Sequence, residues 1–302
     1  MSATQALPAT APFELPAAAA TVAKLQHAFE EHGYAILRGA FSQEVVQNAR
    51  KLLETLVEKD AQQLAAAGKA PNLFKNEPFE TRMYKLYKDI PDLFNGHIQS
   101  ELHHPSFFPY FFNQHVLDLV EGLIGGELRL YPNYFVRPKL PGSEKTQILW
   151  HQDAGYTYNK KEGGENKAQL ENLRMVNLWT SFVPATEENG CMQFIPGTHK
   201  LGLVPHTYQK YYLEIDKEYL EPHLSKAVTI AMQPGDVVLF SNLLYHWGLP
   251  NRAETIRWSL DFRYQDATQS TLRATKGHIA RSRKQPETAV RDAKHWTELT
   301  FQ

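Results

Sequence analysis

A chain of 302 residues, 42% of them hydrophobic, is long enough to enclose one sizeable core, so a single domain over residues 1–302 is expected rather than two. Its 32 Lys and Arg against 33 Asp and Glu leave a net charge of -1, which gives no general field for nucleic acid or an anionic membrane surface. The one cysteine, Cys191, excludes an intramolecular disulfide, no apolar run approaches the length of a membrane helix, and Met1-Ser2-Ala3-Thr4 lacks the features of a secretion signal; the expected address is cytoplasmic.

The first fifteen or so residues are rich in Ala, Pro and Thr and are expected to be ill-ordered. Ala17 to Glu31 reads as a helix closed by Gly33, and Tyr34 to Leu37 as a short strand. Ser42 then caps a long amphipathic helix running to about Gly68, with Val45, Val46, Ala49, Leu52, Leu53 and Leu56 on the stripe expected to pack outside a sheet. Pro71 to Pro109 is irregular and aromatic and contains the pair His103-His104, to which no role is assigned. The region reads either as a cover over one face of the sheet or as part of a substrate pocket. A helix from about Phe112 to Leu123 ends at Gly125-Gly126, and strands begin within Leu128 to Val136.

Ile148-Leu149-Trp150 leads into His151-Gln152-Asp153. The following stretch, Tyr156 to Leu173, is polar and reads either as a lid or as a solvated loop. Met175 to Phe182 is a strand, and Cys191 is a small buried hydrophobe in another. Val237 to Phe240, entered through Pro234-Gly235, leads by way of Leu243-Leu244-Tyr245 to His246. Ile256 to Arg263 alternates without a break: Ile256, Trp258, Leu260 and Phe262 on one face, Arg257, Ser259, Asp261 and Arg263 on the other. Beyond Arg263 the chain turns polar and basic, with Arg273, Lys276, Arg281, Arg283 and Lys284. It is expected to be a solvated tail, with contact to an anionic group of a substrate as the alternative.

Residues i and i+2 of an extended strand point to one face, so His151 and Asp153 can close on a single ion. His246 would complete two nitrogens and one oxygen on one side of a metal, an arrangement that suits Fe(II) and leaves positions open for a co-substrate and O2. An H-x-D tripeptide is weak by itself in a chain with 13 histidines; its strength comes from its partners. Arg257, projected from the polar face of its strand, can grip a carboxylate with two hydrogen bonds, although Arg263 on the same face could exchange roles with it. His199, His206 and His223 are read as structural.

His151-x-Asp153, His246, Arg257 eleven positions later, and the run Glu187-Glu188-Asn189-Gly190-Cys191-Met192-Gln193-Phe194-Ile195-Pro196-Gly197-Thr198-His199 together resemble the phytanoyl-CoA dioxygenase family, from about Gly33 to about Tyr264. The resemblance implies a mainly β architecture with flanking helices (α+β) and a double-stranded β-helix (jelly-roll, cupin-like) core over about 128–264. It implies Fe(II) held by His151, Asp153 and His246, 2-oxoglutarate held at its distal carboxylate by Arg257, and O2, with ascorbate as a stimulant. Trp179, and Asn133 on the strand before the metal motif, are implied to line the 2-oxoglutarate pocket. Many members carry serine two residues after the distal histidine; Gly248 stands there, so one hydroxyl contact to the co-substrate is expected to be missing.

The implied reaction hydroxylates an aliphatic carbon of a small or medium-sized metabolite and releases succinate and CO2. Asp153 supports that outcome, because halogenating relatives need this ligand replaced by a small residue. The same cofactor chemistry could instead end in desaturation, cyclisation, epimerisation or dealkylation in natural-product biosynthesis, and a non-catalytic cupin-like binding module is the reading from another class. No dedicated basic cluster for nucleotide phosphates is evident, while the scattered Lys and Arg would tolerate a carboxylate or phosphate on the substrate. Oligomeric state is left open.

Overall fold

The computed structural model describes residues 13–157 and 167–301. Its strands, β1 to β13 in chain order, form three sheets among these residues. The large sheet contains β1 (Glu14–Pro16), β2 (Tyr34–Arg38), β3 (Glu127–Leu130), β4 (Phe135–Lys139), β5 (Met175–Ser181), β10 (Val237–Ser241), β12 (Arg257–Asp266) and β13 (His278–Ser282). Its order is β1-β2-β10-β5-β12-β3-β13, with β4 also paired to β12. A three-stranded sheet is made of β6 (Met192–Phe194), β9 (Val228–Ile230) and β11 (His246–Gly248), with β6 in the middle. A hairpin of β7 (His206–Tyr208) and β8 (Leu213–Ile215) stands apart.

The alternation in β12 organises the molecule. All ten of its residues are buried, yet the two faces meet different surroundings, as period-two geometry requires. Trp258, Leu260, Phe262 and Tyr264 enter a large apolar core shared with the helices, where Phe79 stacks on Trp258 with ring centroids 4.7 Å apart. Arg257, Ser259, Asp261 and Arg263 face the other way and line a cavity. A second apolar cluster, including Ile36, Cys191, Phe194, Val238 and Phe240, joins the large sheet to the small one. The result is a mainly β double-stranded β-helix with flanking helices, as expected.

Local signals account for the helices. In α1 (Val22–His32), Thr21 accepts the N–H of Lys24, and Gly33 closes the helix at φ 81°. A Cβ at Gly33 would also lie 2.5 Å from Nδ1 of His199, so two constraints select glycine there. Ser42 caps α2 (Gln43–Ala66), whose buried line is Val46, Ala49, Leu53, Val57 and Ala61; Val45, Leu52 and Leu56 sit at its half-buried margin.

Other expectations are corrected. Glu14–Pro16 is not ill-ordered but pairs in parallel with β2; residues 1–12 lie outside the described residues. Pro71 to Pro109 includes α3 (Phe79–Tyr87) and the start of α4 (Phe108–Phe111). Most of it packs against the helix-side core, and His97 reaches the cavity wall, with its ring 4.8 Å from that of Phe135. Within it, His103 stacks on Trp296 with centroids 4.0 Å apart and hydrogen-bonds the Tyr134 hydroxyl, while His104 accepts the N–H of Ser106. The helix that follows is α5 (Gln114–Ile124), capped by Asn113. The basic stretch beyond Arg263 is folded rather than a solvated tail. β13 joins the large sheet, Trp296 is fully buried with its indole N–H on the Leu102 carbonyl, and Arg281 and Arg283 pair with Glu121. No helix among the described residues is long and apolar enough to cross a membrane.

Candidate active site

His151 and His246 are brought together by backbone. Each donates its N–H to the other's carbonyl, at 2.9 and 3.0 Å, and their rings lie 4.0 Å apart. Nδ1 of each ring lies against the carbonyl two residues earlier, Leu149 at 2.7 Å and Leu244 at 2.8 Å. A carbonyl can only accept, so Nδ1 of each ring carries a proton and Nε2 is the nitrogen left for the cavity. Nε2 of His151 and of His246 approach Oδ1 of Asp153, at 3.4 and 3.8 Å.

The geometry that joins His151 to Asp153 is not the extended strand expected. His151 makes an isolated bridge, and Asp153 opens the short helix α6 (Asp153–Thr157). Between them, fully buried Gln152 ties the turn down: its amide donates to the carbonyls of Gly202 and Leu243 and accepts the N–H of Val204. A bridge residue followed by a helical turn brings the His151 and Asp153 side chains to one side while sending the intervening side chain away.

Two ring nitrogens and a carboxylate oxygen within 4.8 Å of one another are a donor set that fits a cation. Burial alone would raise the Asp153 carboxyl, but the Arg263 guanidinium holds it well below the usual range. Burial, with His151 close by, pushes His246 down to about 3, so its ring is neutral as a ligand must be.

Arg263 is committed. Its Nε and one terminal nitrogen donate to Oδ2 of Asp153 at 3.2 and 2.8 Å, and the other terminal nitrogen donates to Asp261 and to the Asn133 carbonyl. Oδ2 is thereby occupied and Oδ1 is turned to the histidines. At the other end of β12, Arg257 donates to the Gly190 carbonyl and the Ser259 hydroxyl, and its guanidinium lies 5.2 Å from the Trp179 ring centroid. Opposite it in register is Lys139, whose ammonium donates to the Gly248 carbonyl at 3.0 Å. Neither cation has an acid within ion-pair distance among the described residues. Burial lowers Arg257 to about 10, and burial together with Arg257 pulls Lys139 well below its ordinary value. Two desolvated cations side by side lower their own charge unless an anion joins them.

His151, Asp153, His246, Arg257, Trp179 and Asn133 all line one cavity of about 430 Å³. Asn133 does so from the connection between β3 and β4 rather than from a strand, beside Arg263, with its side-chain oxygen buried and unpartnered. Lys139 and Arg137 went unnoticed in the sequence, although Phe135, Arg137 and Lys139 alternate with Val136 and Pro138 as β12 does. Gly248 also gains an explanation. A Cβ there would lie 2.9 Å from Nζ of Lys139, so the ammonium occupies the space beside the missing side chain and places a donor where the hydroxyl contact was expected to be missing. Residues 158–166 of the expected lid lie outside the described residues; Lys167–Glu171 is helical.

A family profile described as phytanoyl-CoA dioxygenase (PhyH) matches residues 29–259. A probable phytanoyl-CoA dioxygenase of Caenorhabditis elegans is 25% identical over 276 residues, 84% of this chain and 82% of that protein. The peroxisomal phytanoyl-CoA dioxygenase of Rattus norvegicus is 24% identical over 78% of this chain, which spans 66% of the rat protein's length. The 1-deoxypentalenic acid 11-beta-hydroxylase of Streptomyces arenae is 25% identical, over 88% of this chain and 93% of that one. Among solved structures, EctD from S. alaskensis with 2-oxoglutarate and 5-hydroxyectoine has the same fold, with a TM-score of 0.56 at 17% identity over 89% of this chain and 84% of that one. The carbocyclase SnoK of nogalamycin biosynthesis has a TM-score of 0.53 at 17% identity, over 84% and 87%. Since the matched stretch takes in His151, Asp153, His246 and Arg257 and most of the sheet that positions them, the chain belongs to the phytanoyl-CoA dioxygenase family of 2-oxoglutarate-dependent non-haem iron oxygenases.

Proposed function

We propose that the protein hydroxylates an aliphatic carbon of a small or medium-sized metabolite, consuming 2-oxoglutarate and O2 and releasing succinate and CO2, with ascorbate as a stimulant. The observation that carries this reading is the pairing of two sites in one cavity: two ring nitrogens converging with a carboxylate oxygen and, beside them, two cations without an acid. Nε2 of His151, Oδ1 of Asp153 and Nε2 of His246 would hold Fe(II), which when bound supplies the oxidising chemistry.

The chain's own residues select and orient. Arg257 and Lys139 take the distal carboxylate of 2-oxoglutarate, whose single negative charge relieves the repulsion between them. Trp179 walls the co-substrate and holds the Arg257 guanidinium against its ring. Arg263 keeps Asp153 ionised and its Oδ1 aimed at the metal. Asn133, with an amide not fully satisfied, faces the metal end of the co-substrate. Hydroxylation is preferred because Asp153 retains the carboxylate ligand and because the Streptomyces relative, matched over nearly its whole length, carries a hydroxylase name.

Purified protein given Fe(II), 2-oxoglutarate and ascorbate in air is expected to release succinate, and Asp153→Ala to release none. A parent protein that binds 2-oxoglutarate but forms no succinate would be a binding module instead. Once a substrate is in hand, a product heavier by one oxygen separates hydroxylation from desaturation or ring closure, which remove hydrogen.

A further inference from the structure

The cavity keeps more positive charge than its metal and co-substrate can use. Lys139, Arg257, Arg263, Arg137 and Arg273 line it against the carboxylates of Asp153 and Asp261. Fe(II) and the 2-oxoglutarate dianion bring equal and opposite charge, so the cationic surplus survives their binding. A surplus lining a cavity favours an anionic guest.

One residue is built to meet that guest. Arg137 projects from β4 between Lys139 and Phe135, on the face that lines the cavity. Its Nε donates to Oδ2 of Asp261 at 2.6 Å, and its guanidinium lies 4.6 Å from the Phe135 ring centroid. Its two terminal nitrogens have no hydrogen bond among the described residues. Asp261 also serves Arg263, so one carboxylate compensates two guanidinia. Arg137 is therefore held by one edge with the other edge open, the arrangement in which a planar fork takes a carboxylate by two hydrogen bonds.

The surroundings define the rest of the guest. Phe135, Ile148, Tyr156, Tyr212 and Trp247 line the same cavity and offer apolar and aromatic surface to a carbon skeleton. At the rim, Arg273 lies over the Tyr131 ring and donates to the Thr157 hydroxyl. It lines the cavity too and adds to the field through which an anion would enter. Arg137, Asp261, Arg263 and Asp153 form an unbroken series of ion pairs, at 2.6, 3.1 and 2.8 Å, ending on a metal ligand. An acid seated on Arg137 would thus be held at a fixed offset from the metal, which would restrict oxidation to one stretch of its skeleton.

We infer that the primary substrate is an organic carboxylate with an apolar, ring-sized body, its acid group bound by Arg137. This rests on the oxygenase reading above and deepens it. The test uses the Fe(II)-loaded enzyme with a panel of one- to three-ring monocarboxylic acids, each paired with its methyl ester, reading succinate release above the substrate-free rate and product mass.

Acids are expected to stimulate turnover at concentrations at least about tenfold below their esters, since the ester removes the charge-assisted pair. Arg137→Gln should raise KM for the best acid by about 30-fold or more and abolish the acid-to-ester preference; Arg137→Lys should recover part of the charge effect but not the fork. Equal stimulation by acid and ester, stimulation by the esters in preference to the acids, or no stimulation by any acid while substrate-free succinate release persists would each overturn the inference. Absence of any succinate formation, with or without substrate, would instead overturn the oxygenase reading on which it rests.

Discussion

Arg257 and Arg263 stand on the same face of the same strand, both buried, six residues apart, and do opposite things. Arg263 is saturated: two carboxylates and a backbone carbonyl take its donors, and those acids hold its guanidinium above its ordinary pKa. Arg257 and its neighbour Lys139 have only neutral partners, and burial draws both below their ordinary values. A buried cation whose charge is answered within the fold is a framework part. A buried pair left unanswered is, on the function proposed above, a receptor for something the fold does not contain.

The contrast can be broken most completely at the acid on which Arg263 depends. Asp153→Ala is expected to lower succinate formation by at least about a thousandfold and to lose iron on gel filtration, because it removes a ligand and leaves Arg263 half-compensated. Arg263→Gln should leave the buried carboxylates of Asp153 and Asp261 short of a partner and destabilise the fold by about 3–5 kcal/mol, measured by urea denaturation. Arg257→Gln should behave in the opposite sense. Stability without ligand is expected to hold or rise, while 2-oxoglutarate affinity, followed by calorimetry, falls by about 1.5–3 kcal/mol, roughly tenfold to 150-fold. If both substitutions destabilise the apoprotein equally, the distinction between framework and receptor is wrong.

A pH experiment sharpens the same contrast. The folded-state pKa of Lys139 lies below its unfolded value, so the unfolded chain binds the extra proton and apoprotein stability should rise with pH between those two values. 2-Oxoglutarate favours the ammonium form, so its binding should take up protons and weaken as pH climbs through the depressed pKa. Lys139→Met is expected to flatten both trends, read from titrations in buffers of differing ionisation heat. The smallest effect is expected at Gly248→Ser. The new Cβ would press within 2.9 Å of the Lys139 ammonium, the movable end of a long side chain, so a change of a few-fold in 2-oxoglutarate affinity is expected rather than collapse.

Much of this was legible in the chain, because its signals are local. The cap at Ser42, the stop at Gly33 and the alternation from Ile256 to Arg263 each carry their own geometry, and the two faces of β12 lie as read. What could not be read depends on partners far away in sequence. Arg257 and Arg263 looked interchangeable because the acid that separates them, Asp153, is 110 residues from Arg263. The aromatic content of Pro71 to Pro109 announces burial but not which side of the sheet it covers. Basic residues beyond Arg263 suggested solvent, yet Trp296 anchors that segment and Glu121 neutralises its arginines from another helix. Asn133 was misplaced onto a strand although Pro132-Asn133 is itself a turn signal, and the backbone turns there between β3 and β4.

The reciprocal hydrogen bonds between His151 and His246 have one more consequence. Main chain, not the ion, draws these imidazoles together, and the carbonyls of Leu149 and Leu244 set their tautomers beforehand. If iron is held as proposed, the pairing does not depend on it, and a protein stripped by a chelator is expected to keep the two rings together and to take the ion up again.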